Sequence, residues 1–288
     1  MIILEHPKQV QAACQSWKTA GEIIALVPTM GCLHDGHLKL VECAKQYATK
    51  TVVSIFVNPL QFGPGEDFDN YPRAFADDAE KLKAENCDLI FAPTAESFYP
   101  SDFTTRVSVA GVSEGLEGIS RPGHFDGVAT VVLKLFHATL ADVAVFGEKD
   151  FQQLRVVQQM VRDLNLGVRI VGHPTVREGD GLALSSRNRY LSPEEREWAQ
   201  RIAELSFFTR EYLSGNAGAT VAELTQAVEE FLTRAPLRID YVRMVSSADL
   251  KPAGVEDQVL QISDPRLVLA AWCGKTRLID NFPLERNR

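Results

Sequence analysis

Between residues 22 and 172 the chain alternates short apolar runs with stretches of helical spacing, and this rhythm restricts the available folds more than any other feature. Glu22–Val27 (EIIALV), Thr51–Val57 (TVVSIFV), Leu89–Ala92, Val143–Phe146 and Val168–Gly172 read as strands; Thr51–Val57 has the β-branched enrichment that suits a buried pleated surface. His37–Ala48, Asp77–Glu85, Ala129–Leu140 and Gln152–Leu164 read as helices, from apolar residues near helical spacing. Pro28–Gly36 and Asn58–Pro72 read as loops containing glycine and proline. Strand, loop, helix and strand in this order predict a parallel sheet with helices on both faces.

After about Thr175 the texture changes. Ser192-Pro193-Glu194-Glu195 is a helix start, with serine in the capping position and proline at the first helical position. Helices are expected over Glu195–Leu213, ending at Gly215, and over Thr220–Leu232. Ile239–Val245, Gln258–Ile262 and Leu267–Ala271 then read as strands. Helices followed by strands predict a separate, smaller unit. The expected architecture is therefore a Rossmann-like α/β domain over 1–175 and a smaller C-terminal α+β domain over 176–288.

Composition removes several classes of function. The formal net charge is −8, which disfavours a general nucleic-acid binder, because phosphate backbones demand clustered cations. No apolar run approaches the ~18–20 residues of a membrane span, so no membrane partner is expected. The N-terminus lacks the basic, apolar and small-residue blocks of a signal peptide. Cys14, Cys32, Cys43, Cys87 and Cys273 are odd in number and scattered, as expected of reduced thiols in a cytoplasm rather than a disulfide framework or a zinc site.

Chemistry concentrates in Pro28-Thr29-Met30-Gly31-Cys32-Leu33-His34-Asp35-Gly36-His37, between the first predicted strand and helix. Ligands of open α/β sheets bind at the carboxyl ends of strands. A helix N-terminus there offers unpaired N–H groups to phosphate. Gly31 and Gly36 would allow close backbone approach. His34 and His37 would donate hydrogen bonds to phosphate oxygens as charge builds during nucleotidyl transfer. A metal pair is the other reading of two histidines, but no third ligand is suggestively spaced and Asp35 alone is not enough.

This loop resembles the His-x-Gly-His motif of nucleotidyltransferases and class I aminoacyl-tRNA synthetases. Around it stand Phe56-Val57-Asn58-Pro59-Leu60-Gln61-Phe62-Gly63, Tyr71-Pro72-Arg73, Arg121-Pro122-Gly123-His124-Phe125-Asp126-Gly127-Val128, Phe146-Gly147-Glu148-Lys149-Asp150-Phe151-Gln152-Gln153-Leu154 and Leu184-Ser185-Ser186-Arg187-Asn188. In this order they resemble the pantoate–β-alanine ligase (pantothenate synthetase) family from about residue 23 to 192. The resemblance implies that pantoate and ATP form a pantoyl-adenylate with release of pyrophosphate, and that β-alanine then displaces AMP. It also implies a homodimer, Mg²⁺, and a C-terminal domain acting as a lid. A nucleotidyltransferase working on another small acceptor, such as phosphopantetheine or a pyridine nucleotide, is the alternative.

By the same resemblance His37, His34 and Lys149 are the catalytic candidates. ATP is expected at Met30, Gly31, His34, Gly36, His37, Gly147, Lys149, Asp150, Val176, Leu184, Ser185, Ser186 and Arg187. Pantoate is expected at Gln61, Gln153, Met30 and Asn58, and the family pattern selects Gln153 over its neighbour Gln152. Asp77 and Asp78 are the candidates for placing Mg²⁺. Tyr71, Arg73, Arg121 and His124 form a second tier. Two positions depart from the common pattern: Leu184 stands where many members have methionine, and Cys32 where alanine is common. Leucine preserves the volume and apolarity of methionine, and a thiol at position 32 would be open to modification only if exposed.

Overall fold

A computed structural model describes Met1–Leu284. By its internal contacts the chain divides into two units, Met1–Glu148 with Gln152–Pro174, and Lys149–Phe151 with the chain from Thr175 onward.

The first unit runs β1 (Ile2–Leu4), α1 (Pro7–Thr19), β2 (Ile24–Thr29), α2 (Asp35–Ala44), β3 (Lys50–Ile55), α3 (Phe75–Ala84), β4 (Leu89–Phe91), the single turns α4 (Ala95–Phe98) and α5 (Glu117–Ser120), α6 (His124–Thr139), β5 (Val143–Gly147), α7 (Phe151–Asp163) and β6 (Arg169–His173). The strands form one parallel sheet in the order β1-β4-β3-β2-β5-β6. Ile24, Ala25, Leu26 and Val27 are all fully buried, as a strand covered on both faces must be. Ala25, Val27, Val53, Ile90 and Val145 cluster with Leu40 and Val41 of α2 and Leu82 of α3. The alternate residues point to the opposite face, where α6 packs on β2 and α1 packs on α6. The chain leaves β2 for β3 on one side and later places β5 on the other. The carboxyl end of β2 therefore lies at the switch point where such sheets bind ligands.

The first β-strand and first helix were not expected. α1 (PKQVQAACQSWKT) fully buries only Val10 and Cys14, so its apolar stripe is too thin to read from spacing. α2 starts two residues before the predicted His37. His34 is its extended N-cap, and the His34 carbonyl already accepts the N–H groups of His37 and Leu38 at 2.8 and 3.2 Å. Gly36 and His37 thus lie inside the first helical turn rather than at the end of a loop.

In the second unit α8 (Pro193–Gly215) and α9 (Val221–Leu232) cover an antiparallel sheet ordered β7-β8-β9, formed by Leu237–Ser246, Pro265–Cys273 and Thr276–Pro283. Both helices open with capping boxes, Ser192 with Glu195 and Thr220 with Glu223. Their apolar faces meet Leu267, Leu269 and Ala271 of the central strand in one cluster. The predicted strand Gln258–Ile262 is instead a turn of 3₁₀ helix, Val259–Gln261, in which Val259 alone is fully buried. A short apolar run does not by itself distinguish strand from turn. The third strand is β9, whose interior carries Asp280 and Asn281. All five cysteines are free, and no helix of the described residues is long and apolar enough to cross a membrane.

Candidate active site

The loop after β2 is built by its neighbours. Gly31 has φ +83° and Cys32 φ +52°, two successive residues with positive φ that turn the chain sharply after β2. Thr29 Oγ1 accepts from Gly31 N and donates to Ser54 O of β3. Asp78 Oδ2 accepts from Cys32 N and its Oδ1 from Leu33 N, both at 2.7 Å, while Lys81 Nζ donates to Leu33 O at 2.7 Å. One face of α3 thus clamps the loop from below. A Cβ on Gly31 would lie 3.0 Å from Ile55 Cγ2 and 3.1 Å from Asp78 Oδ2, so the position has neither the conformation nor the space for a side chain. Cys32 is 2 % exposed, so the condition for modifying its thiol is not met.

These bonds give Asp78 a role in holding the loop, beside the expected one with Asp77 in placing Mg²⁺. Asp78 is buried with each oxygen engaged by a backbone N–H, whereas Asp77 is exposed. Successive helical residues point in different directions. Among the described residues no group of three His, Cys, Asp or Glu is arranged to hold a metal ion.

His34 and His37 stack with ring centroids 4.1 Å apart and planes inclined by 30°. The His34 backbone N–H donates to His37 Nδ1 at 3.4 Å. With Nδ1 accepting, the neutral His37 ring carries its proton on Nε2, a donor at the helix N-terminus.

Asn58 organises the next part of the site. Its Nδ2 donates to Gln61 Oε1 and to Gly127 O at 3.0 and 3.1 Å, and its Oδ1 accepts from Tyr99 Oη and Leu60 N at 2.9 and 3.3 Å. The orientation of the Asn58 amide is therefore fixed, and it fixes that of Gln61 in turn. Gln61 Oε1 is taken by Asn58, and Gln61 Nε2 lies 3.2 Å from Met30 Sδ. Gln61 offers N–H rather than carbonyl oxygen, which suits a carboxylate or hydroxyl oxygen.

The backbone of Gln61 is held separately. Its carbonyl accepts from His124 Nδ1 at 2.8 Å and Arg121 Nη2 at 3.3 Å. His124 Nε2 accepts from Arg121 Nη1 at 3.1 Å, and Glu66 receives Arg121 Nε and Nη2 at 2.9 and 2.6 Å. Burial, reinforced by the Arg121 cation, lowers the His124 pKa to about 4, so the ring is neutral near pH 7 and the tautomer is set by its two partners. Tyr71 is buried against Phe62, and Arg73 donates to the carbonyls of Phe68, Asp69 and Tyr71. Both shape the loop from within.

Gly127, in the first turns of α6, permits this arrangement. A Cβ there would lie 2.3 Å from Leu60 O and 2.6 Å from Gln61 N. Backbone cannot rotate aside as a side chain can. Gly127→Ala is expected to destabilise the chain by about 1–3 kcal/mol through overpacking, read as a lowered urea midpoint. An unchanged midpoint would contradict the close approach. Glu66, Tyr99 and Gly127 had no expected role. The helix begins at His124 rather than at the expected Ala129, which is why Gly127 was not read as a helical glycine.

Gln152 and Gln153 separate cleanly. Gln152 is buried, with Oε1 accepting from Glu117 N and Nε2 donating to Val112 O and Gly115 O at 2.9 and 2.8 Å, so it anchors the segment before α5. Gln153 is partly exposed on the same first turn of α7, and Gly147 ends β5.

The remaining expected residues belong to the second unit. Lys149 lies with Nζ 3.6 Å from Asp150 Oδ1, and its carbonyl accepts from Asn281 Nδ2 at 3.0 Å. Arg266 stacks over Phe151 at 3.8 Å. Leu184 N donates to Val176 O at 2.9 Å, which brings those two positions side by side in a small hairpin. Ser185 Oγ accepts from Arg187 N and caps the 3₁₀ turn Ser186–Tyr190. Glu178 braces this hairpin, accepting from Asn188 Nδ2 at 2.7 Å and pairing with Arg196 at 2.8 Å; those hydrogen bonds hold its carboxyl below the ordinary value. Arg177 meets Asp280 through two bonds of 2.7 and 3.0 Å; burial pushes the Asp280 pKa up against the pull of Arg177.

The His34-to-His37 helix start lies at the switch point of a parallel sheet covered on both faces, the architecture of an α/β protein that takes its ligand at the strand ends. The family model for pantoate–β-alanine ligase matches residues 2–283. A pantothenate synthetase of Caulobacter vibrioides is 49% identical over 282 residues, spanning 98% of both chains, and one of Pseudomonas fluorescens is 50% identical over 281 residues, spanning 96% of both. The crystal structure of pantothenate synthetase from Thermus thermophilus superposes with a TM-score of 0.90 at 46% identity, covering 99% of this chain and 100% of that one. A pantoate–β-alanine ligase from Francisella tularensis, crystallised with β,γ-ATP and β-alanine, gives a TM-score of 0.79 at 34% identity over 98% of this chain and 97% of that one. The chain belongs to the pantoate–β-alanine ligase family. The alternative of another small acceptor is not favoured.

Proposed function

We propose that this chain condenses pantoate with β-alanine to pantothenate, converting ATP to AMP and pyrophosphate. The observation that carries this reading is the family match along nearly the whole chain, residues 2–283. A carboxylate is a poor electrophile, so it is first activated. A pantoate carboxylate oxygen attacks the α-phosphorus of ATP, the bond to the β-phosphate breaks, and pyrophosphate leaves. The amine of β-alanine then attacks the acyl carbon, loses a proton, and expels AMP.

His34 and His37 donate to phosphate oxygens as negative charge develops, joined by the backbone N–H groups at the start of α2 that includes Gly36, while Met30 and Gly31 let the nucleotide approach the turn closely. Gln61 N–H and Gln153 hold the polar groups of pantoate, Met30 lines its apolar part, and Asn58 fixes the Gln61 amide. Gly147, Lys149, Asp150, Val176, Leu184, Ser185, Ser186 and Arg187 serve ATP, with Lys149 acting as a point charge and Arg187 as a planar fork on its phosphates. Mg²⁺ would accompany ATP and neutralise charge on its phosphates, with Asp77 and Asp78 the residues that would help place it. A cytoplasmic homodimer, and a lid role for the second unit, belong to the same proposal.

AMP formation should require pantoate, and AMP made equally well without it would overturn the reading. Gln61→Ala should raise the KM for pantoate about tenfold or more and leave that for ATP within about twofold, since one to two hydrogen bonds to a charged group are lost. A rise confined to ATP would remove Gln61 from the pantoate site.

A further inference from the structure

We propose that Glu66, Arg121 and His124 form a relay of positioning residues that sets the place of Gln61 and thereby the affinity for pantoate. The proposal rests on the reading of Gln61 as a pantoate ligand.

Gln61 is fixed at two independent points. Asn58 Nδ2 holds its side-chain oxygen at 3.0 Å, and His124 Nδ1 and Arg121 Nη2 hold its backbone carbonyl at 2.8 and 3.3 Å. The first contact orients the amide, and the second places the residue that carries it. Gln61 follows Pro59 and Leu60 in a single turn of 3₁₀ helix, too short to hold its own position by internal hydrogen bonds. External bonds to the carbonyl must do so.

His124 is suited to this because it is buried and fully used. One ring nitrogen donates to Gln61 O and the other accepts from Arg121. The guanidinium is aligned in turn by both oxygens of Glu66, through Nε at 2.9 Å and Nη2 at 2.6 Å. Planar two-point pairing of this kind fixes direction as well as distance. Glu66 lies five residues beyond Gln61, so the relay also ties the end of the Asn58–Glu66 segment to the start of α6. His124, Arg121 and Glu66 all act through the Gln61 carbonyl in this scheme, and none is assigned a contact with substrate.

The test uses the full chain and measures KM for pantoate and for ATP, kcat, and thermal midpoint. His124→Ala should raise the pantoate KM about five- to tenfold with the ATP KM within about twofold. His124→Asn keeps an N–H near the Nδ1 position and should recover most of that loss. Glu66→Gln should give a smaller rise in the same parameter. Combined with Arg121→Ala it should add nothing to Arg121→Ala alone, because Glu66 acts through that side chain. Equal rises in both KM values, or multiplying effects in the Glu66–Arg121 pair, would overturn the relay in favour of general structural damage. Gln61→Ala separates the two levels of the argument. If it raises the pantoate KM while His124→Ala and Arg121→Ala do not, the relay fails and the pantoate site stands. If Gln61→Ala itself leaves pantoate untouched, the underlying reading fails. Should His124→Ala not fold, the Glu66 and Arg121 variants decide the matter alone.

Discussion

Replacement of His37 by alanine is expected to slow adenylation about 10²–10³-fold, the usual cost of removing one donor aimed at charge that develops in a transition state. The His37 ring is half-buried in the first turn of α2 and stacks on His34. Its Nδ1 accepts the His34 N–H, which places the proton of the neutral ring on Nε2. Alanine removes that donor and the stack but retains helix propensity, so the fold should survive. His37→Gln, whose amide nitrogen reaches a similar distance, should recover part of the rate. Single-turnover release of pyrophosphate at saturating ATP and pantoate reads the effect directly. A rate within about threefold of the parent would remove His37 from the chemistry.

The second large effect is expected at Asp78, and it separates a structural role from a metal-binding one. Asp78→Ala leaves Cys32 N and Leu33 N without their carboxylate partner inside a buried turn. Two charge-assisted bonds are lost, each worth about 1.5–3 kcal/mol, so a loss of about 3–5 kcal/mol in unfolding free energy is expected. The loop that carries His34 should also lose its left-handed turn at Gly31 and Cys32, and adenylation should fall with it. Asn at this position has one acceptor oxygen for two N–H groups and should lie between parent and Ala. Denaturant unfolding and activity at several Mg²⁺ concentrations make the distinction. Loop anchoring predicts a destabilised enzyme whose deficit is insensitive to Mg²⁺. Recovery of activity at high Mg²⁺ with undiminished stability would make Asp78 a metal ligand and remove its anchoring role.

Asp78 also marks where sequence reasoning stopped short. Two neighbouring acids read as a surface pair or a metal site. Asp78 also lies four residues before the buried Leu82, on the inner face of α3, a spacing that points to its hold on the loop. The loop after β2 was legible as a candidate site because glycine, two histidines and a helix start coincide at a strand end. The first sheet was legible because strands covered on both faces are almost continuously apolar. β9 was not, because its buried Asp280 and Asn281 are polar residues satisfied by Arg177, 103 positions earlier, and by Arg266 on the neighbouring strand. The same limit hid the hold on Gln61. Nothing local in the sequence pairs Glu66 with Arg121, which lies 55 positions later, or reveals that Gly127 is small to admit the Leu60 carbonyl.

The central claim, that carboxylate activation precedes amide formation on this chain, is tested most directly by pyrophosphate release from Mg²⁺–ATP with pantoate alone, followed by addition of β-alanine. The account predicts a burst of about one equivalent per site, because the adenylate remains bound, and steady turnover once the amine arrives. No release until β-alanine is present, or steady release that ignores pantoate, would contradict it.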